Sequence, residues 1–266
     1  VGGEAGSRMM IWNTDAQGQN PVAVTVPDRA TLLADLQHRF ETNKGFSVAT
    51  LNLDHVVKLA RDPAFHAAYA RQTHVTADGN PVVWLSQLAG QSDVSLVPGS
   101  ELINPIAALA ADCGVTVALL GATTPSLDAA ARALEARHPG LQVVEQIAPP
   151  MGFDPDGPLA DDAIDAIGQS GARLVFLALG APKQERFAAR ALERLPQVGF
   201  LSIGAGLDFI SGAQTRAPKW VQAIAAEWLW RMVSNPRRLA ARYGACLLAL
   251  PRLTLQALST RTRSSS

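Results

Sequence analysis

The chain has 266 residues, 48% of them hydrophobic and 17% charged, enough apolar material for one large or two modest domains, which excludes a disordered or fibrous protein. Formal net charge is zero, yet from Arg216 onward nine Lys or Arg residues face one acid, Glu227, so the neutral total conceals a basic C-terminal segment suited to an anionic partner. Cys113 and Cys246 lie far apart with no paired-ligand spacing, which gives no support to a disulfide framework or zinc site and makes a reducing cytoplasm the default. No apolar run nears the ~20 residues that span a bilayer.

Residues 1–19 are expected to form a flexible N-terminus. Asp28 to Phe40 has helical apolar spacing through Leu32, Leu33, Leu36 and Phe40, and Gly45 to Leu51 reads as a strand leading to Asn52. Asn52 is placed to cap a helix running to about Arg71. A short strand, His74 to Ala77, meets the turn Asp78-Gly-Asn-Pro81, and helices are expected over Val82–Leu88 and Glu101–Cys113. Val115 to Leu120 is a continuous apolar strand, followed by Gly121-Ala-Thr-Thr-Pro125, where Thr124 is expected to cap a helix over Ser126–Arg137. Leu141–Ile147 (strand), Leu159–Gln169 (helix), Arg173–Leu179 (strand), Pro182–Leu195 (helix) and Val198–Ile203 (strand) continue the alternation. Apolar strands alternating with helices through short Gly-bearing turns predict a parallel sheet covered on both faces. Ligands bind such sheets beyond the C-terminal strand ends, here Thr50 and Asn52, Asp78, Gly121 to Thr124, Gly180 to Glu185, and Gly204 to Asp208.

After Gly212 the character changes. Arg216-Ala-Pro-Lys-Trp220 opens a helix expected to reach about Met232, and Asn235-Pro236 restarts one. Trp220, Trp228 and Trp230 sit among arginines, a pattern that suits an anionic membrane surface, or packing of the rings onto the domain or a neighbouring subunit. The domain boundaries that follow are 20–212 for an α/β body, 213–258 for a basic helical appendage and 259–266 for a disordered tail.

Four stretches carry candidate chemistry. Asp78 either makes its turn or acts as a general base at a strand end. Gly180-Ala-Pro-Lys-Gln-Glu185 leaves a buried strand and opens a helix, so its free N–H groups and Lys183 form a possible diphosphate cradle, although the Gly-Lys-Ser/Thr order of a Walker loop is missing. Gly204 and Gly206 precede Asp208, but Phe209 stands where a dinucleotide fingerprint needs a third glycine. Asp154-Pro-Asp156 offers paired acids in a Pro- and Gly-rich loop where turn-making is the better explanation, so no bound metal is expected. The five histidines have no ligand spacing, and no Gly-x-Ser-x-Gly elbow occurs.

Taken together, Thr50-Leu-Asn-Leu-Asp-His55, Thr76-Ala-Asp-Gly-Asn-Pro-Val-Val-Trp84, Gly99-Ser-Glu-Leu102, Pro149-Pro-Met-Gly-Phe153, Gly180 to Glu185, Gly204 to Asp208, and Arg216-Ala-Pro-Lys-Trp220 with Glu227-Trp-Leu-Trp-Arg231 resemble the WecG/TagA/CpsF glycosyltransferase family. The likeness covers nearly all of residues 20–243. It implies a Rossmann-like α/β fold, with helices on both faces of a parallel sheet and a basic C-terminal helical appendage. The implied activity is inverting transfer of a sugar from a UDP-sugar to a polyprenyl-diphosphate-linked saccharide in cell-surface polysaccharide synthesis, with no metal or other cofactor. The implied place is the inner, cytoplasmic face of the membrane, held peripherally on anionic lipid, as a possible homo-oligomer and without nucleic acid as partner. By the same likeness Asp78 matches the proposed general base, Thr50 and Asn52 line its pocket, and Gln184 lies near the donor sugar. Lys183, Gly121, Gly180, Gly204, Gly206 and Asp208 are the remaining candidates for substrate contacts in the body. Arg216, Arg231, Arg237 and Arg238 are the candidates for diphosphate contacts from the appendage. Leu96 departs from the arginine that many members carry there, so glucose, N-acetylmannosamine and its uronic acid all stay open as the transferred sugar. A dinucleotide-dependent oxidoreductase, or a membrane-tethered nucleotide-binding module without transferase activity, are the competing readings.

Overall fold

The computed structural model describes residues 9–210, 212 and 236–264, with the side chains of 236–241, 263 and 264 outside the described set. Six parallel strands form one sheet in the order β2-β1-β6-β5-β3-β4. They are β1 (Phe46–Leu51), β2 (His74–Ala77), β3 (Val117–Gly121), β4 (Val143–Ile147), β5 (Leu174–Ala178) and β6 (Gly199–Ser202). Every residue of β1, β2, β3 and β6 is buried, as expected of strands covered on both faces, whereas edge strand β4 turns Val144 and Gln146 outward. The opposite edge, β2, is covered by the incoming chain: Thr25 and Val26 N–H groups donate to the Val75 carbonyl at 2.9 and 3.2 Å.

One face of the sheet carries α1 (Arg29–Glu41), α5 (Gly99–Asp112) and α6 (Thr124–Arg137), which bury Leu36, Ile103, Ile106 and Leu127 against Val48, Leu119 and Phe176. α7 (Pro158–Ser170) and α8 (Lys183–Arg194) pack on the other face with Phe187 against Phe200. A third apolar cluster joins β1 and β2 to α2 (Leu53–Leu59), α3 (Pro63–Ala70) and α4 (Asn80–Leu88). That cluster is closed by α10 (Pro236–Ser264), which contacts α2 and α4. Leu253 and Ala257 of α10 are 1% and 0% exposed. Burying Leu253 alone contributes roughly 1.5–3 kcal/mol to holding α10 in place.

The structure corrects four expectations. The helix expected from Asn52 to about Arg71 is two helices, because Pro63 cannot continue α2 and the Asp62 carboxylate accepts from Phe65 N at 3.0 Å to start α3. The N-terminal stretch is not loose throughout: Met10 and Trp12 are fully buried among Phe65, Leu253 and their neighbours, and Met10 N donates to Gln91 Oε1 at 2.9 Å. The helix that restarts at Pro236 continues to Ser264, past the end expected at 258. At α6 the cap position falls to Thr123, one residue earlier than expected, without a side-chain cap bond. The appendage helix expected over Arg216 to Met232, with its three tryptophans, lies outside the described residues.

Candidate active site

The strand order sets the C-terminal ends of β2 and β1 beside those of β6 and β5. Their loops enclose a cavity of about 610 Å³, within the range of small-molecule sites. On one wall, the register pairs Thr50 with Thr76 and Leu51 with Ala77, and Asp78 N donates to Leu51 O at 2.8 Å. Asp78 therefore stands level with Asn52. Thr50 Oγ1 donates to Asp78 Oδ2 at 3.4 Å. Gly79, at φ +109°, lets the chain pass straight from β2 into α4, so Asp78 projects from a junction of two regular elements rather than from a loop. The cap position of α4 is Gly79, which has no side chain to bond with, and Asp78 beside it lines the cavity. Asn52 does cap α2, accepting from His55 N at 3.0 Å.

The facing wall comes from the β5–α8 and β6–α9 turns, α9 being Gly206–Ile210. Gly180, Gln184, Gly204 and Asp208 all line the cavity. Gln184 ties the two turns together: its Oε1 accepts from Gly204 N at 3.1 Å, and its Nε2 donates to Glu185 Oε1 at 2.8 Å. Asp208 Oδ1 accepts from Ser126 Oγ at 3.2 Å. Gly99 admits the close approach that brings Ser100 to the same cavity, since a Cβ there would lie 2.8 Å from Ser202 O.

Among the described residues, positive charge at the cavity comes from Lys58 and Arg242. Both pair with Asp54, at 2.8 and 3.0 Å, so one carboxylate holds a cation from α2 and another from α10 side by side. His55 adds no charge. Burial lowers its pKa to about 3, overriding the attraction of Asp54, and its Nδ1 lies 3.2 Å from the Tyr69 hydroxyl.

Several expected site residues lie elsewhere. Lys183 does not line the cavity, nor do Gly121 and Gly206. Gly121 ends β3, the strand beyond β5, and packs against the Ala178 backbone, while Gly206 packs where a Cβ would come 2.5 Å from Ile103 Cδ1. The turn after β6 leads into a helix of five residues, too short for the long helix a dinucleotide fingerprint requires. Arg216 and Arg231 lie outside the described residues, and so do the side chains of Arg237 and Arg238. Asp154 closes its own turn by accepting from Asp156 N at 3.1 Å, while Asp156 pairs with Arg186. Among the described residues no three His, Cys, Asp or Glu side chains gather as a metal site.

Two cavity cations were not foreseen from sequence. Lys58 had a signal, its i, i+4 spacing from Asp54 in a capped helix. Arg242 had none, because its partner is remote in the chain.

Glu185, next to Gln184, is fully buried, and its Oε2 has no hydrogen-bond partner among the described residues. Burial raises its pKa from the usual carboxylate value of 4.5 to about 7, against the smaller opposing pulls of the Gln184 hydrogen bond and Lys58. The unfolded chain therefore releases this proton more readily than the folded one, and the fold loses stability as pH rises from about 4.5 through 7, by roughly 3 kcal/mol. Glu185→Gln is expected to raise the unfolding midpoint at pH 8 and leave it nearly unchanged at pH 4.5. Chemical denaturation at the two pH values checks this, and an equal shift at both would remove ionisation as the cause.

Similarity to known proteins follows the same residues. The model of the glycosyl transferase WecG/TagA/CpsF family matches residues 20–266. An N-acetylglucosaminyldiphosphoundecaprenol N-acetyl-beta-D-mannosaminyltransferase of Bacillus spizizenii (strain ATCC 23059 / NRRL B-14472 / W23) is 27% identical over 200 residues, covering 74% of this chain and 75% of the relative. A protein of the same name from Bacillus subtilis (strain 168) is 23% identical over 224 residues, covering 84% and 82%.

Proposed function

Because this chain belongs to the WecG/TagA/CpsF glycosyltransferase family, we propose that its cavity transfers N-acetylmannosamine from a UDP-sugar to a polyprenyl-diphosphate-linked saccharide. Both relatives are named for that sugar and for an N-acetylglucosaminyldiphosphoundecaprenol acceptor. The observation that carries the reading is the pairing of Asp78 and Asn52 on one wall with Gly180, Gln184 and Gly204 on the other, at the C-terminal ends of adjacent strands.

In this mechanism Asp78 takes the proton from the acceptor hydroxyl as its oxygen attacks the anomeric carbon, and UDP leaves from the opposite face with its pair of electrons, inverting that carbon. Thr50 holds the carboxylate in place from β1. Lys58 and Arg242 supply charge for a diphosphate, and the arginine geometry suits paired phosphate oxygens. The step routes through no metal. Exposed Leu248, Leu255 and Leu258, with Arg252 and Arg261 beside them on α10, form the face that would meet an anionic bilayer from the cytoplasmic side. Among the described residues no helix is long and apolar enough to cross a membrane.

UDP release by the purified protein tests this, with a polyprenyl-diphosphate N-acetylglucosamine acceptor and UDP-N-acetylmannosamine, its uronic acid and UDP-glucose as donors. Acceptor-dependent release with the first donor, and a product whose anomeric configuration is opposite to that of the donor, are the expected results. Release with another donor would replace the sugar, and retention would replace the mechanism. Silence with every donor and a verified acceptor would favour a tethered nucleotide-binding module.

A further inference from the structure

Beside the polar cavity lies a second hollow of about 370 Å³, between α4 and α10. Pro81, Trp84, Tyr243, Cys246, Leu247 and Leu250 supply much of its wall, while Asn52, Asp78 and Arg242 are common to both hollows. Trp84 and Leu247 are each 59% exposed, apolar surface that gains by being covered.

We propose that this groove holds the first isoprenoid units of the acceptor, next to its diphosphate, an assignment that rests on the transferase reading above. A polyprenyl-diphosphate saccharide presents a hydroxyl, a sugar, a diphosphate and a hydrocarbon chain in that order. The fold sets Asp78, Asn52 and Arg242, the last held by Asp54, where the polar cavity meets the apolar groove, so one molecule can reach all three parts. With the hydroxyl at Asp78 and the diphosphate at Arg242, the chain leaves directly into the groove. The spacing on α10 repeats this sequence: Arg242, Cys246 and Leu250 fall four residues apart on one helical face, so the face that begins with a cation continues with apolar side chains. An apolar peptide or a second copy of the chain would have no use for the cation at the head of the groove. A lipid phosphate ester uses both parts.

Two acceptors with the same diphosphate-linked N-acetylglucosamine head test the assignment, one bearing a long polyprenyl chain and the other, the short-chain acceptor, only a methyl group that cannot fill the groove, both in the same detergent. UDP release by the full chain is measured with whichever donor supports it. The long chain is expected to lower acceptor KM by about tenfold or more. Leu247→Asp and Trp84→Ser should each erase most of that difference while leaving kcat and KM for the short-chain acceptor within about twofold, a split that general damage would not produce. Both side chains are more than half exposed, so the changes spare the core. In addition, a diazirine placed on the isoprene unit nearest the diphosphate should label α4 or α10 of the wild type. Unchanged chain-length preference in the variants, or labelling elsewhere or across two copies, would overturn the groove assignment. Equal KM for the two acceptors in the wild type would do the same and leave the transferase reading standing. Absence of UDP release with either acceptor and every donor would instead overturn the transferase reading itself.

Discussion

Replacing Asp78 with Asn is expected to cut acceptor-dependent UDP release by about a thousandfold, within the range that a general base contributes, while donor KM moves only a few fold. Asparagine keeps the size of the side chain and can still accept the hydrogen bond from Thr50. It loses the basicity. The carboxylate is fixed by the β1–β2 register and by the bond from Asp78 N to Leu51 O, neither of which depends on its charge, so the cavity should keep its shape. A structural role would give a different pattern, with donor KM and thermal midpoint shifting together. The decisive measurement is steady-state kcat and KM for wild type and variant at saturating acceptor, with thermal unfolding as the control. A variant whose kcat stayed within about tenfold of wild type would remove Asp78 as the base.

Gly121→Ala should cost about 3–5 kcal/mol and lower the unfolding midpoint by roughly 10 °C. Two costs add here. Gly121 sits at φ +117°, where an L side chain is strained, and a Cβ would come 2.5 Å from both the carbonyl carbon and oxygen of Ala178. Backbone cannot swing aside as a flexible side chain would. Gly180 provides the comparison, since it also has positive φ, at +71°, but nothing lies within 4 Å of the added methyl. Gly180→Ala should therefore cost only about 1 kcal/mol. Calorimetric unfolding of the two variants separates the cases. A Gly121→Ala protein as stable as Gly180→Ala would show that β3 and β5 can part at that point without penalty.

The contrast between those glycines shows how much of the site was legible in sequence. Apolar runs ending in Gly-bearing turns announced the ends of β2, β3, β5 and β6, and Thr50, Asn52, Asp78, Gly180, Gln184, Gly204 and Asp208 do share one cavity. Strand order was not legible, because it depends on which helices cover which face. With β5 between β3 and β6, Gly121 falls outside the crevice and becomes a packing residue. The motif from Gly180 to Glu185 was readable as a turn for anions, yet Lys183 is not part of the cavity lining while Gln184 is. The burial of Glu185 was hidden because it comes from α3 and the segment just after it, where Gln72 donates to the Glu185 carbonyl at 3.1 Å across a long stretch of chain. Proline at 63, by contrast, was in plain view, and the break between α2 and α3 follows from it.

The seating of α10 governs how its role can be probed. Met10 and Trp12 lie in the same apolar cluster as Leu253 and Ala257, and Gln256 donates to the Ile11 carbonyl, so the two ends of the described chain are stitched through one core. A truncation of α10 is therefore not a clean test of the proposed membrane-facing surface. It would also uncover Trp12 and Leu59, take Arg242 from the cavity and remove one side of the apolar groove, giving an inactive and sticky protein whatever the helix does at a bilayer. Point changes at Leu248 and Leu255, 83% and 70% exposed, separate attachment from architecture.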